Sequence, residues 1–530
     1  MKKTVLVFAI VTFFIIAIFP FGYMVGSVVL GKSGVYYDFI QLCLSHRTGQ
    51  LIFNSISIGM GAMVLGLLLG VPTGFLISRT DIYMRSTAKY LVFLPILIPE
   101  YIAAMAWSSM LGNSSKVNSF VTGPFGLGEG LPSISGHWGV VWVLGLAYFP
   151  FVCLMIMTGL STIDKKLEEQ ALLMAHPWEV IRRVTVPLIA PFMIAGALFA
   201  FIFSIANYGV PSLLRVNTYP LEIFTQFSVF YNSDLATLGC LPLLLVTLCL
   251  MLVCYFVMKD KFYMSFEGTS PPAMIIQLRK LRFLFSLFVW IVIFVSGILP
   301  LGVLMKTAGS FESYRAVFKT SAQSISTSLG LSALSATVCV TLGFYLGYIL
   351  ERDRSRGRRV LDIASLLPLA VPPMVLGIGL IELWNRPVTT FIYSGFLIVV
   401  FGLVARFVPF AVRILASCFK QLNPNMEEAA VLNGAGFFRI VAQILVPLTR
   451  QGILISWAIC FIFCMGELGT TLLIVPAGYE TLGNKIYTLL HYGVGKLTAA
   501  LSVVQIAVTI LPIVMLGILS QVFKESNDRT

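Results

Sequence analysis

Apolar runs of about 20 residues, the length that crosses a bilayer as a helix, recur along the chain between short polar breaks. They predict spans at about 4–30, 51–78, 88–111, 136–160, 185–208, 235–258, 283–305, 323–350, 360–384, 392–416, 447–466 and 498–522. The breaks alternate in character. Those after the second, fourth and sixth spans carry Arg79, Arg85 and Lys89, then Lys165, Lys166, Arg182 and Arg183, then Lys259 and Lys261. Residues 351–359 hold five arginines, whereas 112–135 and 209–234 are poor in basic residues. Basic loops stay on the cytoplasmic side, so the alternation predicts that both termini are cytoplasmic. Trp107, Trp138, Trp142 and Trp384 fall near outer span ends, where an interfacial belt would place them.

The longest helical signal that is not itself a span runs from Asn423 to Pro447. Asn423 can cap a helix with Pro424 in its first turn, and Glu427 and Glu428 sit near the positive end. Ala429 and Ala430 keep one face shallow. Gly434 and Gly436 let the backbone turn, and a second amphipathic helix, Phe437 to Leu445, leads to Pro447 at the next span. The pattern predicts a helix–turn–helix on the cytoplasmic membrane face, shaped for a groove on another protein.

The two halves of the chain are copies. Gly70, Gly74, Arg79, Pro95 and Pro99 stand 273 positions before Gly343, Gly347, Arg352, Pro368 and Pro372. Past a longer outer loop in the first half the offset falls to 259, which aligns Asp164 with Asn423, Glu169 with Glu428 and Ala171 with Ala430. Pro187 precedes Pro447 by 260, so the first copy's turn is one residue shorter. The expected organisation is a first half at 1–258, a linker at 259–282 and a second half at 283–530, with a pathway between bundles of equal topology.

Composition fixes the broad class. The chain has 530 residues, 58% of them hydrophobic and 11% charged, which is an all-α polytopic membrane protein and not a soluble core. The net charge of +13 lies in the short loops and is not a nucleic-acid footprint. Nine cysteines are scattered through apolar runs without metal spacing and read as small core residues; no metal or cofactor is expected. The basic start and first apolar run resemble a signal peptide, but the run is too long and lacks a small-residue cleavage site, so it reads as a retained span. Gly26, Gly31, Lys32 and Ser33 match GxxxxGK[ST]; at a span end, with no strand before them, they are read as a chance match.

The Asn423–Pro447 stretch resembles the EAA loop of ABC importer permeases, with Glu428, Ala429, Ala430, Gly434, Ile444 and Pro447 in the pattern's places and Val446 where Leu is usual. The first copy departs from it: Gln170 replaces an Ala, and Ala175 or His176 stands where Gly is usual, with Pro177 as the alternative source of the bend. The resemblance implies the type I importer permease fold, with no enzymatic activity in this chain. It also implies two ATPase subunits on the cytoplasmic loops and a periplasmic or lipid-anchored substrate-binding protein outside. The residues it assigns to ATPase coupling are Glu169, Ala171, Ala175, Pro187, Glu428, Ala429, Ala430, Gly434 and Pro447. The segments around Asn207 and Glu467 look like those of fused permeases for ferric iron, in a bacterial inner membrane; thiamine, 2-aminoethylphosphonate and polyamine permeases share the architecture.

Asn207 and Glu467 are also pathway candidates on physical grounds, since a carboxylate bordering a membrane is expensive to leave in lipid. Arg406 and Arg413 read as snorkelling or packing residues, and Glu100 and Glu382 as contacts for a docked receptor. The rival class is an ion-coupled secondary transporter, which places ionisable residues or broken helices near the midplane; the mid-span regions here are nearly free of charge. A membrane enzyme would need clustered His, Cys or carboxylates, and the four His are not so spaced.

Overall fold

A helix is the natural state of an apolar segment in lipid, because it satisfies every backbone polar group within the segment. The computed structural model describes residues 2–29, 40, 45–111, 134–163, 165–258, 275–353, 357–493 and 495–527. Among them the regular elements are helices, and the one β-type pairing is an isolated parallel bridge between Thr80 and Ile276. The spans are Lys2–Ser27, His46–Arg79, His137–Ser161, Trp178–Ile205, Ser233–Val257, Arg279–Ala308, Phe311–Arg352, Phe396–Gln421, Phe437–Gly466 and Gly495–Met515. Gly26 lies within helix Phe19–Val29, and Gly31–Ser33 fall outside the described residues. So do Asp164, Lys259, Lys261 and most of the linker.

The third and ninth spans, expected at about 88–111 and 360–384, are each a bent pair of helices. Arg85–Leu97 and Glu100–Leu111 meet at 92°, and Gly357–Ala370 and Pro373–Trp384 at 105°. With each bent pair taken as one span the described residues hold twelve. Proline causes both breaks: Ile98, before Pro99, is extended at φ −104° and ψ 106°, and Pro372, before Pro373, is extended at ψ 147°. Broken helices therefore do not separate this chain from an ion-coupled transporter. Trp107 departs from the belt as well; it is buried and meets Trp142 edge-on at 5.6 Å.

The chain gathers into two compact units that cross the sequence halves. One comprises Met1–Gly31, Tyr314–His491 and Val504–Thr530, the other Lys32–Ser313 and Tyr492–Val503. The first span of each repeat is built into the unit formed by the other repeat. In one unit a Cβ at Gly379 would come within 3.0 Å of the Pro20 carbonyl oxygen. In the other, Gly297 packs on Leu94, and the Tyr83 N–H donates to Ser286 Oγ at 2.9 Å.

Small residues let the long helices approach their neighbours. A Cβ at Gly70 would lie 2.8 Å from the Phe149 carbonyl oxygen, and one at Gly343 would lie 2.8 Å from the Ala411 carbonyl carbon. Gly74 and Gly347 repeat the contact one turn on, against the Cys153 oxygen and the Ala416 nitrogen. Leucine at Gly343 has nowhere to go, and we expect Gly343→Leu to cost about 1–3 kcal/mol, seen as a lower unfolding temperature of the purified chain. Gly330 in the same helix faces open space, so Gly330→Ala should not lower it. Serines of the same long helices hold the far-end helices: Ser55 Oγ accepts the Tyr219 N–H at 2.8 Å, and Ser328 Oγ accepts the Leu482 N–H at 2.7 Å.

Candidate functional site

The second loop forms as its residues dictate. Asn423 Oδ1 accepts the Asn425 N–H at 3.0 Å and opens the helix Asn425–Leu432, with Glu427 and Glu428 in its first turn. The helix stops at Asn433. The Ala435 N–H then reaches the Ala430 carbonyl and the Gly434 N–H the Val431 carbonyl, with Gly434 at φ +79°. That pair of bonds around a left-handed residue is a Schellman stop, which is why Gly434 is glycine. Gly436 has φ −72° and needs no such freedom.

The first loop reaches the same shape differently. Helix Lys165–Met174 closes with the Ala175 N–H on the Ala171 carbonyl, and the next helix starts at Pro177. His176 caps that start, its Nδ1 accepting the Trp178 N–H at 3.4 Å. Ala175 and His176 have negative φ, so a one-residue-shorter turn replaces the glycine stop.

The second loop helix, expected at Phe437–Leu445 ahead of the next span, is continuous with its span in both loops. Pro177–Val180 continues through a π turn, Ile181–Thr185, into Val186–Ile205; Phe437–Ile440 continues through Val441–Leu445 into Val446–Gly466. Pro187 and Pro447 explain the widened turn. A proline ring inside a helix collides with the carbonyl four residues back, and a π turn carries that carbonyl aside. The same device precedes Pro20 and Pro300, at Phe14–Ile18 and Phe294–Ile298.

Helix phase decides which loop residues face outward. Glu428, Ala429, Gly434, Pro187 and Pro447 are exposed, and Ala171, Ala175 and Ala430 are half-buried. Glu169 sits in helix Lys165–Met174, and its side chain lies outside the described residues. The loops also present large apolar side chains: Leu173, Met174 and Trp178 are 87%, 91% and 66% exposed, and Val431, Leu432 and Phe438 are 60%, 88% and 48% exposed. These tips were missed in the sequence because apolar residues are unremarkable in so apolar a chain.

The inward-facing carboxylates are one position earlier than the pair singled out from sequence. Glu168 pairs with Arg79 at 3.1 Å, and Glu427 with Arg352 at 2.7 Å. Both arginines end a long span and also donate to the end of a neighbouring one, Arg79 Nη2 to the Leu160 carbonyl at 2.7 Å and Arg352 Nη2 to the Leu422 carbonyl at 3.0 Å. The shared offsets, 273 for the arginines and 259 for the glutamates, were the available signal.

At the opposite ends of the spans Asn207 and Glu467 also match. Asn207 Oδ1 accepts the Val210 N–H at 3.0 Å and Glu467 Oε1 the Thr470 N–H at 2.8 Å, so each caps the short helix that follows its span. Asn207 Nδ2 donates to Tyr148, whose hydroxyl donates to Glu100 at 2.8 Å. Glu467 is buried and pairs with Arg406 at 2.8 Å. Arg406 is thus held by a carboxylate and does not snorkel, and Arg413 likewise pairs with Asp362 at 2.6 Å. Glu382 accepts from Ser27 at 3.1 Å.

Duplicated spans, each entered from a matched helical loop, define the membrane component of a transport system. The chain belongs to the family described as the binding-protein-dependent transport system inner membrane component, which matches residues 62–259 and 339–526. It is 22% identical over 462 residues to the Fe(3+)-transport system permease protein FbpB 2 of Haemophilus influenzae, covering 84% of this chain and 85% of that one. The molybdenum transport system permease protein ModB of Escherichia coli is 28% identical over 222 residues, 39% of this chain and 96% of ModB. The spermidine/putrescine transport system permease protein PotC of Escherichia coli is 26% identical over 187 residues, 35% of this chain and 70% of PotC.

Proposed function

We propose that this permease carries ferric iron inward across a bacterial cytoplasmic membrane, driven by two separate ATPase subunits and supplied by a periplasmic or lipid-anchored binding protein. The chain itself catalyses no reaction. Residues 1–258 and 283–530 act as paired halves joined by 259–282, with both termini cytoplasmic. The observation that carries this reading is the pair of matched loops with exposed apolar tips. An aliphatic or aromatic side chain standing free at the end of a short helix is what a groove on a partner takes up. The second helix of each loop runs on without a break into a span, so a push on the loop tilts that span. Glu169, Ala171, Ala175, Pro187, Glu428, Ala429, Ala430, Gly434 and Pro447 form the coupling surface, with Asn207 and Glu467 bordering the pathway. Ferric iron is favoured because the permease FbpB 2 aligns along most of both chains.

The test is purification of the chain with its ATPase and binding protein, followed by ATP-driven uptake of ferric iron in proteoliposomes. Glu428→Arg reverses an exposed charge in the loop helix's first turn and should loosen the ATPase without impairing membrane insertion. An exposed charge contact is worth about 0.2–1 kcal/mol, so retention on a column should fall by up to about fivefold. Full-rate uptake with no ATPase present would instead establish a gradient-driven transporter.

A further inference from the structure

Each half holds its loop helix to the membrane part through an ion pair, buried in the first half and partly buried in the second, and the two pairs occupy the same place in the repeat. Arg79 and Glu168 have side chains 4% and 7% exposed, and Arg352 and Glu427 have 14% and 12%. Each arginine ties three helices: the long span it ends, the neighbouring span whose terminal carbonyl it binds, and the loop helix. The far side of each carboxylate is held too. Thr185 Oγ1 donates to Glu168 at 3.3 Å, and the Tyr348 hydroxyl donates to Glu427 at 2.7 Å.

Unlike segments cover the two pairs. Over Arg79 lies the described end of the linker, where the Ile276 N–H donates to the Arg79 carbonyl at 2.7 Å and the Leu278 N–H to Asp81 Oδ1 at 2.9 Å. At the other pair, Lys2 Nζ donates to Tyr348 at 2.9 Å and lies 5.9 Å from the centre of the Phe437 ring. Two solutions to covering one feature show that the pair is the fixed part and its cover the variable one.

Stability alone gives no reason for the pairs. An apolar pair of similar volume usually holds a fold as well as a buried ion pair does. What the ion pair adds is direction, because a guanidinium bound to a carboxylate and a helix-end carbonyl together allows little rotation. A loop helix of this length does not hold itself together without such contacts.

We propose that Arg79–Glu168 and Arg352–Glu427 are the joints that pass movement of the docked loops to the long spans His46–Arg79 and Phe311–Arg352. The four are positioning residues for transport. The inference rests on the loops being ATPase docking sites.

The experiment uses the complete complex in proteoliposomes and measures ATP hydrolysed and iron taken up in the same vesicles. Glu427→Gln should leave ATPase retention and hydrolysis in place while iron moved per ATP falls by about tenfold, the scale set by weakening a partly buried charged contact. Arg352→Lys keeps the charge but not the fork that reaches both the carboxylate and the Leu422 carbonyl, and should recover only part of the ratio lost in Arg352→Met. Arg352→Met with Glu427→Leu guards against misfolding: it should unfold at the parent's temperature yet remain uncoupled. A parental ratio in the Met/Leu form, or in an assembled Glu427→Gln form, overturns the proposal and leaves the docking reading intact. Failure of the unaltered chain to retain any ATPase removes the docking reading, and this inference with it.

Discussion

Arg406→Ala is expected to destabilise the unit containing Tyr314–His491 by about 3–5 kcal/mol, because it strands a buried carboxylate. Glu467 has one oxygen on Arg406 at 2.8 Å and the other on the Thr470 N–H at 2.8 Å. Thr470 Oγ1 continues the chain of bonds to the Pro373 carbonyl at 3.2 Å, at the bend of the ninth span. Losing the guanidinium therefore frees the end of Phe437–Gly466 and the short helix it feeds. Thermal unfolding of the purified chain should show a clear drop for Arg406→Ala and, for Arg406→Met combined with Glu467→Leu, recovery of all but the lost cap on Thr470, about 1 kcal/mol. The matched Asn207 is uncharged and Ala147 occupies Arg406's place, so Asn207→Ala should cost a lost cap and a neutral hydrogen bond to Tyr148, about 1–2 kcal/mol. Equal losses at the two sites would contradict the assignment of an ion pair to one half alone.

Leu432→Glu should detach the ATPase more completely than any charge change on the same loop. The side chain is 88% exposed at the last turn of its helix, and its repeat partner Leu173 is 87% exposed. A central apolar anchor in a protein groove is worth about 2–4 kcal/mol, or a thirtyfold to thousandfold change in affinity. The substitution touches nothing in the membrane part, so insertion and unfolding temperature should match the parent. Retention of the ATPase is the measurement, and undiminished retention would show that the loop tips do not enter a partner.

The spans and the duplication were legible because a bilayer imposes a length on every crossing and the duplication left constant offsets between Gly70 and Gly343 and between Pro99 and Pro372. The bends were not. Pro72, Pro150 and Pro409 sit inside unbroken helices, so a proline in an apolar run does not by itself announce a break. The loops were legible as helical pairs with a turn, and Gly434 was placed correctly in that turn. The carboxylate that binds inward was not, since Glu427 and Glu428 differ only in phase. Which one faces the spans depends on where the loop helix lies, and its own sequence does not say. The exchange of first spans was equally hidden, because lipid is as apolar as leucine and an apolar run does not name its neighbour.

That exchange governs the order in which the protein can be made. Lys2 meets Tyr348, 346 residues later. At a synthesis rate of about 5–20 residues per second, the opening span waits roughly 20–70 s in the bilayer before its companions emerge. It survives the wait because its backbone needs nothing from outside. Residues 32–313 supply most of the other unit meanwhile, which Tyr492–Val503 completes, and the opening span joins Tyr314–His491 and Val504–Thr530.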